Sequence, residues 1–223
     1  MKKPSSPLSI SKVYLLLFFF LGIVAASCEE DNSYPSLIYD FVCMQTDDDG
    51  NMKTLLTDNG HAYGIEFSDS YLDRHDSVPV FRPDSIYRVV AMYEIKEEKD
   101  SCRLYDLVNI YSKVPTPPSD DMVLTYDPVF LQSIRRSGEY LNIIIQLYSL
   151  NKQHYLGVID TTEEGKAGVD FTLIHKNVDD AEAYRQRVYM SLPLKPYGLH
   201  KGDTIRFHAN LYDEGRKTWE FIY

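Results

Sequence analysis

The chain has 223 residues with a formal net charge of −10 at pH 7, and 44% of its residues are hydrophobic. This composition supports a folded core and excludes a largely disordered chain. The sequence has no basic stripe that could displace counterions, so we expect no nucleic-acid partner. Its 18 Tyr and 10 Phe residues favour strands over helices.

The first 28 residues predict an exported and lipidated protein. Lys2 and Lys3 precede an apolar run from Val13 to Ala26, which has the length of a signal-peptide core and is short for a transmembrane helix. The run ends in Ala-Ala-Ser-Cys, which resembles the lipobox of bacterial lipoproteins. In that reading residues 1–27 are removed and Cys28 is acylated with fatty acids such as palmitate. An ordinary secreted protein, cut near Ser27, is the alternative.

Residues 28–35 form a short acidic tether in this interpretation. Cleavage before Cys28 removes three lysines and no acid, which leaves 196 residues with a net charge of −13. The cluster Glu29, Glu30 and Asp31 resembles the signal that sends lipoproteins of certain Gram-negative anaerobes to the outer face of the outer membrane. A flexible spacer is the alternative. We therefore expect the outer membrane, with the protein lipid-anchored and exposed at the cell surface.

An all-β fold is predicted next, beginning with a small OB-like barrel over residues 36–114. Turn signals at Asp47–Gly50 and Asp58–Gly60 separate segments of strand composition. Five strands in so short a stretch suit a barrel that closes on itself, and a small sandwich is the alternative. The five predicted segments are 37–43, 52–56, 61–67, 85–95 and 102–114.

Two cysteines remain once Cys28 carries the lipid. Cys43 and Cys102 fall in predicted strands of the same domain and in an oxidising compartment, so a disulfide is one interpretation. Two free, buried thiols are the other. Neither residue has the spacing or the basic surroundings of a redox-active thiol.

A proline-rich linker over residues 115–121 marks the predicted domain boundary, because prolines stiffen the chain and cannot donate to a sheet. Residues 122–223 then predict a β-sandwich of six strands. A turn at Asn151–Lys152 pairs the first two of them as a hairpin. Asp179 to Gln186 fits one turn of helix or a loop. The six predicted segments are 140–150, 153–161, 169–175, 189–194, 203–212 and 217–223.

Short motifs along the mature chain resemble those of the NigD-like lipoprotein family. They are Asp48-Asp49-Gly50, Asp127-Pro128-Val129 with Ile134 and Gly138, Tyr140-Leu141-Asn142, His175-Lys176-Asn177 and Tyr189-Met190-Ser191-Leu192. The resemblance implies an N-terminal OB-like domain, a C-terminal β-sandwich and a role in bacteriocin production or immunity. The family has no defined catalytic residues, so none is carried over.

Catalytic and metal-binding motifs are absent from the sequence apart from two weak candidates. Ser149 to Lys152 fits Ser-x-x-Lys, but on a predicted hairpin turn and without its partner motifs. Asp47, Asp48 and Asp49 lack the alternating ligands of a calcium loop and favour a tight turn. The histidines lack metal-ligand spacing. We therefore expect no catalytic residue, no metal and no cofactor.

Non-covalent binding is the function class that these residues leave open. Tyr140, Asn142, Tyr148 and Tyr189 alternate with the aliphatic residues of their predicted strands, so we expect them on an exposed face that could bind an envelope protein or a glycan. We therefore predict a membrane-anchored binding or accessory module rather than an enzyme. A surface glycan-binding lipoprotein of a polysaccharide-uptake system is the alternative, and an envelope hydrolase is a further one.

Overall fold

The protein is described by a computed structural model that covers residues 35–75, 78–96, 100–120, 122 and 124–223. The predicted signal peptide, Cys28 and the acidic cluster lie outside the described residues. Within the described part of the chain, no helix is long and apolar enough to cross a membrane. Residues 36–223 form one unit that contains a barrel and a sandwich.

The N-terminal half is a closed, five-stranded barrel, which confirms the predicted OB-like fold. Its strands are β1 (Ile38–Thr46), β2 (Met52–Thr57), β3 (Ala62–Phe67), β4 (Ile86–Lys96) and β5 (Ser101–Asn109). They follow the order β1-β2-β3-β5-β4, and β4 pairs with β1 to close the barrel. The pair β3–β5 is parallel and the other pairs are antiparallel.

Local chemistry explains two connections of the barrel. The predicted turn between β1 and β2 forms, with the Gly50 amide donating to the Asp47 carbonyl and Gly50 at φ +84°. A short helix, α1 (Asp69–Arg74), follows β3 and was absent from the sequence prediction. The hydroxyl of Ser68 caps it by accepting from the Tyr71 amide, and the buried Tyr71 packs into the barrel core.

Both remaining cysteines are free and buried, so the disulfide alternative is wrong in this structure. Cys102 points into the barrel core. Cys43 lies on the outside of the barrel wall, with its Sγ 3.5 Å from the Tyr140 hydroxyl of the sandwich. The two thiols therefore face opposite sides of the barrel wall and cannot form a bond. An even number of cysteines does not show on which side of a strand each side chain lies.

The C-terminal half is a sandwich of two sheets with seven strands. One sheet has the order β10-β7-β6 and the other has the order β12-β11-β9-β8. A 3-10 helix, Lys195–Tyr197, follows β10. The strands are β6 (Phe130–Ser137), β7 (Tyr140–Ser149), β8 (Tyr155–Asp160), β9 (Val169–Lys176), β10 (Tyr184–Pro193), β11 (Thr204–Leu211) and β12 (Gly215–Ile222).

The inner faces of the two sheets form one apolar core. The aliphatic stripe of Leu141, Ile143, Ile145 and Leu147 is buried, as the alternation along this strand predicts, and the first three of these residues meet Phe171 of the facing sheet in a single cluster. Burial of such a stripe stabilises the sandwich by about 1.5–3 kcal/mol for each large apolar side chain. The other face of β7 is consequently free to contact something else.

Three features of the sandwich differ from the prediction. β6 was missed, and β10 begins at Tyr184, within the segment expected to be a helical turn or a loop. The predicted hairpin over Asn151–Lys152 is also wrong, because β8 pairs with β9 of the opposite sheet and not with β7. Residues 150–154 therefore cross from one sheet to the other.

The chain from Tyr111 into the predicted linker spans the two sheets of the sandwich. Tyr111 pairs with Met190 of β10, and Thr116 pairs with Ile159 of β8, so this segment bridges the two sheets. The Tyr197 hydroxyl donates to the carbonyl of Pro115. The division into two domains at residues 115–121 stays a prediction, which limited proteolysis would test.

Candidate functional site

The barrel covers most of the binding face predicted on the sandwich. Asn142 is only 1% exposed, and the Tyr140 ring lies 3.7 Å below the guanidinium of Arg88 from the barrel. The Tyr189 hydroxyl accepts a hydrogen bond of 2.7 Å from Tyr39 of β1. The prediction that these three sandwich residues form an open face is therefore wrong. These residues do face away from the core of the sandwich, as predicted, but the barrel of the same chain packs against them.

Arg88 is the centre of this junction, and sequence reasoning did not identify it. Its two terminal nitrogens donate to the carboxylate of Asp58 at 2.5 and 2.8 Å. One of them also reaches Asn142 at 3.1 Å, and Nε donates to the Ser191 hydroxyl at 2.9 Å. The Ser191 hydroxyl in turn donates to the Asn142 side-chain oxygen at 2.6 Å. Each polar group of this set therefore has a partner.

Charge is well compensated within the junction. The side chains of Arg88 and Asp58 are 4% and 5% exposed. Burial by itself disfavours the Arg88 cation, but its bonds to Asp58 and its contact with Cys43 raise the pKa of Arg88 overall. Burial and the contact with Cys43 raise the pKa of Tyr140 to about 12, so this hydroxyl stays protonated at neutral pH. The junction therefore joins the barrel to the sandwich through compensated buried charges.

A larger cleft lies at the end of the sandwich that is away from the barrel junction, and we call it the end cleft. Its volume is about 570 Å³, within the usual range for ligand sites of about 300–1,000 Å³. It opens between β7 and β10 of one sheet and β8 of the other. The lining consists of the crossing segment 150–154 with Leu147, Ser149, Leu156, Gln186 and Val188.

The Ser-x-x-Lys candidate lies in this cleft but has the wrong geometry for catalysis. The Ser149 hydroxyl donates to Asp180 at 3.0 Å. The Lys152 ammonium donates to the carbonyls of Val178 and Asp179 at 3.0 and 2.8 Å, so it is engaged away from the serine. A Lys base would need to accept the serine proton. This lysine instead fastens the loop between β9 and β10, where Val178 has φ +51°.

Two stacked histidines complete a buried chain behind Ser149. His175 Nδ1 lies 3.1 Å from the carbonyl of Asp127, so it must donate there, and its Nε2 lies 2.9 Å from His154 Nδ1. His154 Nε2 faces Asp180 at 3.2 Å. Because a carboxylate can only accept, His154 Nε2 is the donor toward Asp180 in this contact.

The order in which Ser149, Asp180 and His154 are hydrogen-bonded indicates a structural role rather than nucleophilic catalysis. In a catalytic triad the imidazole lies between the hydroxyl and the carboxylate. Here Asp180 lies between Ser149 and His154. Burial alone would raise its pKa, but hydrogen bonds from the Leu150 amide, the Ser149 hydroxyl, the Asn151 amide and His154 lower the pKa of Asp180 well below its usual range. The carboxylate is therefore a fixed acceptor that orders the crossing segment.

Tyr148, the fourth residue of the predicted face, lies beyond the barrel. Its ring meets Phe130 and Tyr212 edge-on at centroid distances of 5.3 and 5.5 Å. The Arg185 guanidinium lies 3.9 Å above the Phe130 ring. Aromatic and arginine side chains in one patch are typical of protein-binding surfaces. The barrel-distal end of the sandwich thus carries both the cleft and this patch.

Metal ligands do not converge in the described ranges, where no group of three His, Cys, Asp or Glu side chains could hold an ion. The Asp47 carboxylate of the candidate calcium loop accepts from the amides of Asn51 and Asp49 at 2.7 and 3.1 Å. These bonds lower the pKa of Asp47 and close the turn from within. The Asp47 carboxylate therefore has a structural role in the turn.

Comparison with known proteins identifies the fold. A NigD-like immunity protein from Bacteroides caccae ATCC 43185 is similar at 28% identity and a TM-score of 0.69, over 85% of this chain and 98% of that one. A candidate toxin-related protein from Parabacteroides distasonis ATCC 8503 has 15% identity and a TM-score of 0.62, over 84% and 93%. A candidate lipoprotein from Bacteroides fragilis NCTC 9343 has 16% identity and a TM-score of 0.57, over 85% and 97%.

The last two similarities show the fold alone, because their identities are low. No curated protein matches the chain. The family model of the NigD-like C-terminal beta sandwich domain matches residues 112–223. Since this match covers half of the chain and contains all seven strands of the sandwich, the chain belongs to the NigD-like family.

Proposed function

We propose that this protein is a non-catalytic, lipid-anchored envelope protein that binds a bacteriocin or a component of its production, as an accessory or immunity module. The observation that carries the proposal is the similarity to a NigD-like immunity protein over 98% of that chain. The Ala-Ala-Ser-Cys sequence ending at Cys28 supports the lipid anchor, and the acidic residues that follow it support surface exposure.

Binding rather than turnover is supported by the state of the polar side chains. Ser149 donates to a carboxylate, and Lys152 is held by two backbone carbonyls. Arg88 and Asp58 neutralise each other inside the junction. A binding module needs none of these groups to be reactive, whereas a hydrolase needs a nucleophile with a base beside it.

A protection assay tests the immunity role. The full-length chain is expressed in a bacteriocin-sensitive strain, and survival is measured across a series of purified bacteriocins. We expect a raised killing threshold for at least one of them. Ser149→Ala should protect as well as the parent, since the proposal gives this hydroxyl no chemical role. Degradation of the bacteriocin by the purified protein, abolished in Ser149→Ala, would overturn the non-catalytic proposal.

The anchor is tested separately through Cys28. Cys28→Ala should release the protein from the membrane fraction and lower protection, while the melting temperature of the soluble domains stays unchanged. Protease added to intact cells should degrade the parent protein if it is surface-exposed. Changing Glu29, Glu30 and Asp31 to Ala should then make it resistant. Membrane partitioning of the Cys28→Ala protein would contradict the lipid anchor.

A further inference from the structure

The outer edge of β10 is only partly occupied. The Tyr111 amide donates to the Tyr189 carbonyl at 3.0 Å, and the Ser191 amide donates to the Tyr111 carbonyl at 2.9 Å. Those two residues of β10 therefore point their backbone groups away from β7. Because backbone direction alternates along a strand, Arg187 and Arg185 point theirs the same way. Among the described residues nothing pairs with the outward backbone groups of these two arginines.

The end cleft lies beside this open part of the edge. The register pairs Gln186 with Leu147 and Val188 with Ile145, so Gln186 and Val188 face the interior of the sandwich. Both line the cleft together with Leu147 and Leu156 of the facing strands. A strand added to β10 would thus direct every second side chain over a partly apolar cleft.

The opposite face of the same edge is cationic. Arg185 stacks on Phe130, and Arg187 donates to Gln132 at 3.0 Å and to the Tyr189 hydroxyl at 3.0 Å. In the described part of the chain, neither guanidinium is paired with a carboxylate. Two uncompensated cations in a protein of net charge −10 favour acidic side chains on a partner.

We propose that an extended polypeptide segment binds here as an additional strand on β10, with apolar side chains over the end cleft and acidic side chains beside Arg185 and Arg187. This is strand addition to a sheet edge, in which backbone bonds supply affinity and alternate side chains supply specificity. Tyr111, which precedes the predicted linker, already binds the same edge, so the new strand continues an existing interface. The inference rests on the proposed function and names its partner class as a polypeptide.

The first experiment changes only the peptide. The probe is an acetylated and amidated hexapeptide that alternates Val and Glu, and its binding to the purified protein is measured by titration calorimetry or by NMR. Two matched peptides carry N-methyl groups on all Val or on all Glu residues. Since only one set of amides can face β10, one methylated peptide should lose about tenfold or more in affinity and the other should lose little.

The same titration includes a peptide with Lys in place of Glu. It should bind at least about tenfold more weakly, because it brings cations to Arg185 and Arg187. Equal binding of both N-methyl peptides would overturn the proposal, because the edge bonds would then contribute nothing. Equal binding of the Lys peptide would overturn the assigned side-chain polarity.

The second experiment changes only the edge. Arg187→Gln removes the cation, whereas Arg187→Pro removes the cation and the outward amide, without breaking a bond to β7. We expect Arg187→Pro to bind the Val-Glu peptide several-fold more weakly than Arg187→Gln. Arg135→Gln, on β6 at the other edge of the sheet, is the control and should bind like the parent. If Arg187→Pro fails to fold, the N-methyl peptides still decide the question.

Failure of this inference is distinguishable from failure of the proposed function. If the full-length Arg187→Pro protein still protects cells and the Val-Glu peptide does not bind, the immunity role holds and strand addition is wrong. If the peptide binds but no bacteriocin is resisted, the edge site holds and the immunity role is wrong. Saturable binding of a soluble oligosaccharide in the end cleft, without any peptide binding, would overturn the polypeptide partner.

Discussion

The two ends of the sandwich both bury charged groups, but they use them differently. At the barrel junction, Arg88 and Asp58 come from the barrel and bind Asn142 and Ser191 of the sandwich. At the distal end, Asp180 and its partners all belong to the sandwich. At the junction, the polar groups therefore find their hydrogen-bond partners across the boundary between barrel and sandwich. At the distal end, they find them within the sandwich.

Because of this difference, the barrel junction is a structural contact, whereas the distal end has a surface that a partner can bind. Every donor of Arg88 named above is matched by an acceptor of the same chain, so a partner would gain nothing there. At the distal end the charges are also matched, but the backbone edge at Arg185 and Arg187 is open beside a cleft. Unpaired strand edges attract partners more than satisfied polar clusters do.

The largest expected effect comes from breaking the junction charge pair. Arg88→Met leaves the buried Asp58 carboxylate without its cation and should lower the free energy of unfolding by about 3–5 kcal/mol. Urea unfolding at pH 7 measures this loss. The double variant with Asp58→Asn should recover part of the stability, since an amide needs no cation. Equal losses in the single and double variants would show that charge is not the cause.

An exposed ion pair provides the control for that experiment. Arg135 and Asp40 also join the sandwich to the barrel, but their side chains are 51% and 31% exposed. Solvent screens such a pair, so Arg135→Met should cost no more than about 1 kcal/mol. A loss as large as that of Arg88→Met would mean that the junction depends on contact in general and not on buried charge.

A second test of the junction uses the turn between β6 and β7. Gly138 has φ +51°, and a Cβ atom there would lie 2.8 Å from the carbonyl oxygen of Asp58. Gly138→Ala should therefore cost about 2–3 kcal/mol, from backbone strain together with displacement of Asp58. Gly165→Ala is the matched control, because Gly165 has φ +79° and open space around it. It should cost only about 1 kcal/mol.

The distal cluster, which consists of Ser149, His154, His175 and Asp180, is tested locally through Asp180. Its carboxylate accepts from the backbone amides of Leu150 and Asn151 at 2.8 and 3.3 Å. Asp180→Ala should raise the hydrogen-exchange rates of both amides by about tenfold, while the barrel amides change little. Asp179→Asn is the control, because the side chain of Asp179 has no part in these bonds and Asn tolerates its φ of +55°. Unchanged exchange in Asp180→Ala would show that other contacts order the crossing segment.

Sequence patterns predicted the barrel and the core stripe because these depend on local alternation. Leu141, Ile143 and Ile145 occupy every second position of β7, and their burial follows from a period of two. The same pattern could not show what covers the other face of β7. Asn142 and Tyr140 have the composition of an exposed face, and only the fold places the barrel against them.

The missed features have similar physical causes. β6 contains Arg135 and Arg136 and has a register shift between Leu131 and Ser133, so its alternation is interrupted. The crossing segment resembles a two-residue turn because turn chemistry is local, whereas the choice between a hairpin and a crossover depends on sheet packing. The distal cluster joins residues 21 to 31 positions apart, which no short motif describes.

The smallest expected effect is a dependence of stability on pH from the distal cluster. His175 is 2% exposed, and burial, together with the neighbouring His154, lowers the pKa of His175 in the folded protein, although the Asp127 carbonyl offsets part of this. An unfolded histidine titrates near about 6.5. Between the two pKa values the unfolded chain binds a proton that the folded chain does not, so acid favours unfolding.

The stabilisation from neutral His175 should therefore be complete above about pH 6.5 and should fall as the pH is lowered toward its folded pKa. Protonation at Nε2 would place a cation in the buried histidine stack, where the two ring centroids lie 5.1 Å apart and His154 Nδ1 lies 2.9 Å from Nε2. Urea midpoints between pH 7.5 and 5.5 measure the slope. His175→Gln, which stays neutral, should flatten it, and His200→Gln, at a 90% exposed side chain, should not. A slope that persists in His175→Gln would assign the acid sensitivity to other groups.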